Sequence, residues 1–106
     1  MDTKIKAKYT ARANIIKAMA HPTRLFIVDK LAMKKYSVGE LTDMIESDMS
    51  TVSKHLNILK SSGIIADQRE GTKIYYKLKM PCVLSFFGCV ETVLKETGQE
   101  LIQLSK

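Results

Sequence analysis

The chain has 106 residues, 45% of them hydrophobic and 26% charged, a composition that describes one globular domain and excludes disordered or fibrous chains. Its formal net charge of +6 favours an anionic partner and leaves nucleic acid, an anionic membrane surface and an acidic protein open. Charged residues interrupt every apolar run well short of the roughly 20 positions a membrane span needs, and Met1-Asp2-Thr3-Lys4 has no signal-peptide character, so the chain reads as cytoplasmic with no membrane partner and its two cysteines, Cys82 and Cys89, as reduced thiols.

Ile5, Tyr9, Ala13, Ile16 and Met19 recur at helical spacing between Lys and Arg, which predicts a first helix over about residues 3–20. His21-Pro22 ends it, because the residue before proline is pushed out of helical geometry and proline suits the entrance of a new helix. That second helix, from about Thr23 to Met33 or Lys34, carries Leu25, Phe26, Val28, Leu31 and Ala32 as an apolar face that must be buried. Ser37-Val38-Gly39-Glu40 matches a capping box and opens a short third helix over about 38–46, with Leu41, Met44 and Ile45 inward. Ser47-Asp48 supplies turn and cap chemistry for a fourth helix, 49–61, which has Val52, Leu56 and Leu59 as its inner stripe and Gly63 as its left-handed stop.

Ile64 to Arg69 and Lys73 to Leu78 read as two strands joined around Glu70-Gly71-Thr72. Pro81 then opens a last helix over about 81–96. Val83, Phe86, Phe87, Val90, Val93 and Leu94 make it apolar around much of its circumference, so it needs a partner as well as its own domain. Thr97-Gly98 breaks it before Leu101 to Leu104.

Four helices, a two-stranded hairpin and a fifth helix make a mainly α single domain with the order of a winged helix-turn-helix, whose second helix after the turn lies in the DNA major groove. On the helix 49–61, Ser50, Lys54, Asn57 and Ser61 project opposite the buried stripe, with Thr51 and Ile58 on the flank. Hydroxyls and amides can approach base edges closely, Asn can pair with adenine, and Lys54 can reach a guanine edge or a phosphate. Lys60 and Lys73 stand where backbone contacts are expected. Such a polar face is by itself equally the solvated side of an ordinary helix. The hairpin adds weight to the DNA reading, since Arg69, Lys73, Tyr75 and Tyr76 make a basic, aromatic wing in which alternation sends one tyrosine into the sheet's packing. His55 projects to the edge of the buried stripe, as a hydrogen-bonding boundary residue more than a base reader.

The segments Lys17-Ala18-Met19-Ala20-His21-Pro22-Thr23-Arg24, Ser50-Thr51-Val52-Ser53-Lys54-His55-Leu56-Asn57-Ile58-Leu59, Gly63-Ile64-Ile65 and Glu70-Gly71-Thr72-Lys73-Ile74-Tyr75-Tyr76-Lys77-Leu78 together resemble the ArsR/SmtB family of winged-helix repressors, over about residues 12–95. The resemblance implies a homodimer built from the first and last helices, operator binding without inducer, and release when an inducer binds. It also implies that Ser50, Thr51, Ser53, Lys54 and His55 lie on or beside the DNA-reading helix, and Arg69 and Lys73 on the wing. His21 is a junction residue in the family's pattern and not a ligand.

Thr42-Asp43-Met44 stands where arsenic, lead and cadmium sensors of that family carry Cys-x-Cys. Of the positions matching the zinc sensors' last-helix ligands, Met80, Cys82, Val93 and Glu96, only Glu96 keeps a ligand of the expected type. Cys82 and Cys89 remain, on one helical face about 10.5 Å apart along the axis, too far for a disulfide within one helix. Across an antiparallel dimer they can meet as a paired thiol site for As(III), a soft metal ion or thiol oxidation. The alternative is that both are small apolar packing residues. A winged-helix protein–protein interaction module without specific DNA binding is the competing function. No enzyme is expected, because the sequence has no phosphate loop, no Cys/His cluster and no nucleophile elbow.

Overall fold

The computed structural model describes residues 1–98. Along the chain run α1 (Thr3–Met19), α2 (Pro22–Met33), β1 (Tyr36–Ser37), α3 (Val38–Ile45), α4 (Met49–Ser61), β2 (Ile65–Glu70), β3 (Lys73–Leu78) and α5 (Val83–Thr97). Local chemistry accounts for the boundaries. Asp2 caps α1 by accepting from the Ile5 amide, and His21, whose Nδ1 accepts from the Thr23 amide at 3.0 Å, caps α2 with Pro22 in its first turn. Both bonds of the Ser37/Glu40 capping box form, and the backbone N–H of Ser37 on the Glu40 carboxylate holds its pKa below the usual value.

Three expectations need correction: the number of strands, the start of the last helix and the buried face of α2. The sheet is three-stranded, in the order β1-β3-β2, because Tyr36 and Ser37 pair antiparallel with Tyr76 and Tyr75 on the free edge of the hairpin. The last helix starts at Val83 and not at Pro81. The amides of Val83, Leu84 and Ser85 bond to carbonyls three residues back, so Pro81 and Cys82 form a tight turn ahead of the regular helix. Cys82 is thus the residue before α5, with near-helical angles, and Cys89 lies within it. α5 ends at Thr97 with Gly98 in a left-handed conformation (φ 76°), where the Thr97-Gly98 break was expected, and Leu101 to Leu104 lie outside the described residues.

The core sits where α2, α3, α4 and the base of the sheet meet. Ile27, Val28, Leu41, Val52, Leu56 and Leu59 are fully buried there, joined by Leu31, Ile64 and Ile65. On α2 the buried face is Ile27, Val28 and Leu31, whereas Leu25 and Ala32 are exposed and Phe26 half-buried. The outer helices contribute little to this core. α1 buries only Ala18 and Met19, and α5 buries no residue fully, although its Val83 and Phe87 pack against the core. Among the described residues no helix is long and apolar enough to cross a membrane.

Candidate nucleic-acid interface

α3 and α4 are separated by Glu46, Ser47 and Asp48. Glu46 takes a left-handed conformation (φ 59°, ψ 43°), and Asp48 accepts from the Thr51 amide at 2.6 Å. The chain thereby reverses within one turn and α4 starts on a capped end, where hydrogen bonding from the Thr51 side chain, then from its amide, keeps the Asp48 carboxyl below its usual pKa. Burial of Val52, Leu56 and Leu59 against the core then fixes the rotation of α4. Ser50, Thr51, Lys54, Asn57, Ile58 and Ser61 are left exposed, and Ser53 half-buried at the margin.

His55 sits on the inner margin of this helix and not on its outer face. Its Nδ1 accepts from Arg24 Nη1 of α2 at 3.2 Å, and its ring lies 4.5 Å from that of His21. Burial, then the nearby His21 and Arg24, push its pKa down. The three side chains tie the start of α2 to the back of α4. Lys60, expected at a DNA backbone, donates to Asp67 of β2 at 2.8 Å, an ion pair that raises the lysine pKa and lowers that of the carboxyl. This contact fastens the hairpin to α4.

The β2–β3 register divides the wing residues between two faces. Arg69 lies opposite Ile74 on the face that also carries the Asp67–Tyr76 pair and turns towards α4. Lys73 and Tyr75 lie with Glu70 and Gln68 on the other face. There Lys35 pairs with Glu70 and stands 5.1 Å above the Tyr75 ring, and Lys73 lines a groove with Glu40 and Asp43. Of the two tyrosines, Tyr76 packs against the core, and burial raises its pKa. The face turned to α4 therefore presents Arg69, while Lys73 and Tyr75 sit beside carboxylates.

Cys82 and Cys89 are free thiols and both exposed. They are not packing residues of this chain's own core. Among the described residues no cluster of three or more His, Cys, Asp or Glu side chains could hold a metal ion. Cys82 and Cys89 stand seven residues apart, about 10.5 Å along the helix axis, so a site that joins the two positions needs a second copy.

Comparisons with known proteins agree with this geometry. The profile of the family described as "Bacterial regulatory protein, arsR family" matches residues 21–67. The chain is 35% identical over 74 residues to the biofilm growth-associated repressor of Agrobacterium fabrum, a match covering 70% of this chain and 63% of that protein, so less than two thirds of the relative's length. It is 38% identical over 65 residues to the transcriptional repressor SdpR of Bacillus subtilis, covering 61% of this chain and 72% of that one. Its fold is similar to the solution structure of a homodimeric winged helix-turn-helix DNA-binding domain from Mycobacterium bovis, with a TM-score of 0.78, 30% identity, and coverage of 94% and 93% of the two chains. The buried stripe that turns a polar face of α4 outward, the fastened wing and these matches lead to one conclusion: the chain belongs to the arsR family of bacterial regulatory proteins.

Proposed function

We propose that this chain is a cytoplasmic transcriptional repressor that binds operator DNA as a homodimer. In this reading the whole chain is one winged-helix domain, α4 enters the major groove, and α1 and α5 form the dimer interface. The observation that carries it is the outward polar face of α4 beside a basic wing, on a chain of net charge +6. Ser50, Lys54 and Asn57 are the base-edge readers. Thr51 and Ser53 contact the flanking backbone, and Arg69 reaches it from the wing. Lys60, Lys73 and Tyr75 reach the DNA backbone only by sharing or releasing the partner or carboxylate already beside each, and His55 supports the reading helix from behind. The repressor names of the relatives favour this function over that of a protein–protein interaction module, and relatives that are regulators favour a chain without catalytic activity.

For induction, the two exposed thiols support a site for As(III), a soft metal ion or an oxidant, shared between Cys82 of one copy and Cys89 of the other. Replacing both with Ser abolishes release of DNA by arsenite, Cd(II) or oxidants if this is right, and an unchanged response removes the site. The DNA-binding reading is tested by duplex affinity as a function of salt. Binding falls steeply as salt rises, and Lys54→Ala and Arg69→Ala weaken it. Variants that leave every duplex affinity unchanged favour the interaction module.

A further inference from the structure

Beside its outer face, α4 forms one wall of an open groove of about 620 Å³ whose other walls are α1 and the start of α2. Asn14 and Lys17 enter it from α1, Arg24 from α2, and Asn57 and Ser61 from α4. No carboxylate is among these lining residues, and neither Lys17 nor Arg24 has an ion pair among the described residues. Arg24 is held in place by His55, yet its Nε is buried without an acceptor. A buried N–H left unpaired costs free energy, which favours rearrangement of this side chain onto an acceptor. A guanidinium beside an ammonium, amides and a hydroxyl is a donor set for a phosphate oxyanion.

The position of the groove points to the source of that phosphate. Ile58 lines the groove and Lys60 joins the wing through Asp67. They are two residues apart, about 200° around the helix, so the groove and the wing lie on opposite flanks of α4. A helix inserted in the major groove, about 12 Å wide, has a sugar-phosphate backbone along each flank. The wing meets one. We propose that the groove is a phosphate-binding site that grips the other, through Lys17, Arg24 and Asn14, and so positions α4 without reading sequence. This rests on the DNA-binding reading given above.

The test uses the full chain and a mixed-sequence duplex of about 30 base pairs, long enough for two half-sites one helical turn apart. Binding is measured across a salt series for wild type, Lys17→Ala, Asn14→Asp and Lys54→Ala, with thermal unfolding as the check that each variant folds. Lys17 and Asn14 are exposed on α1, so both substitutions leave the core intact. Lys17→Ala is expected to weaken binding severalfold and to reduce the slope of log K against log salt by about 1 for each groove engaged. Asn14→Asp, which sets a carboxylate against the phosphate, is expected to weaken it further. If Lys54→Ala weakens binding while Lys17→Ala and Asn14→Asp match wild type in affinity and slope, the groove proposal is overturned and the repressor reading stands. If wild type binds no duplex, both fall. If millimolar inorganic phosphate shifts the amide resonances of Asn14, Lys17 and Ser61 while the DNA slope is unchanged in Lys17→Ala, the groove holds a free anion and the proposal is again overturned.

Discussion

The α2–α3–α4 body and the outer helices α1 and α5 use apolar residues in opposite ways. In the body, Ile27, Val28, Leu41, Val52, Leu56 and Leu59 lose all contact with solvent. On the outer helices, Ile5, Tyr9 and Ile16 are 44–51% exposed, and Phe86, Val90 and Val93 are 41–56% exposed. An apolar groove lined by Ile16, Met19, Leu25, Phe86, Phe87 and Val90 runs between them. Single exposed apolar residues are ordinary, but a continuous apolar face spread over two helices marks an association surface. The body closes a core of its own, whereas in the proposed homodimer the outer helices would complete theirs against a second chain.

The sharpest way to break this contrast is to damage the body. Leu56→Ala removes a fully buried side chain from the inner stripe of α4 and is expected to cost about 2–5 kcal/mol, read by urea unfolding; a loss below about 1 kcal/mol would mean that α4 is not clamped by this core. The outer helices should answer differently. Phe86→Ser is expected to leave the helical signal and the thermal transition of dilute protein nearly unchanged while raising the dimer dissociation constant at least about tenfold, since a homodimer would lose two ring burials, each half of the roughly 1.5–3 kcal/mol of full burial. Sedimentation equilibrium measures it, and an unaltered association constant places the interface elsewhere.

A smaller effect within the body is expected from Ser37→Ala, which removes one bond of the capping box at the start of α3 and should cost about 1 kcal/mol. Hydrogen exchange in α3 should rise more than in α4. The smallest effect concerns pH. His55 accepts from Arg24 in its neutral form, and its folded-state pKa lies below that of the unfolded chain. The unfolded state therefore takes up the proton first as pH falls. Stability is full above the ordinary histidine pKa, near 6.5, and declines as pH drops from there through the folded pKa. His55→Gln should flatten that decline in a urea series run across this range, and a slope equal to wild type would assign the decline to other groups.

Much of the architecture was legible because local signals agreed with one another. The Ser37/Glu40 box, the Asp48 cap, Pro22 and Gly63 each act within a few residues, and all four stand where periodicity alone would put a boundary. β1 was not legible, since a two-residue strand shows no alternation and exists only because β3 offers it an edge. The start of α5 was misplaced because Pro81 fits a first turn equally well whether that turn is tight or regular. On α2, choosing Leu25 and Ala32 over Ile27 misjudged the buried face, because Leu25, Phe26, Ile27 and Val28 form one unbroken apolar run in which the period is ambiguous.

The interface was half legible. Projection of α4 separated buried Val52, Leu56 and Leu59 from exposed Ser50, Lys54 and Asn57 without any tertiary information. It could not reveal that Lys60 is bound to Asp67, that Lys73 and Tyr75 share a face with Glu70, or that His21, Arg24 and His55 meet. Those depend on strand register and on how α2 crosses α4. The groove holding Lys17 and Arg24 was missed for the same reason, as its residues come from three helices. The motif around His21-Pro22, with a cation on either side, was the one local hint.

In the proposed complex, two copies present α4 to successive major grooves of one duplex. Selecting bound duplexes from a random pool and mapping the enriched bases tests this arrangement. An inverted repeat is expected whose half-sites are centred about 10 base pairs, or about 34 Å, apart, with Asn57→Ala relaxing the same position in both halves. Enrichment of a single half-site, or of no sequence at all, would contradict it.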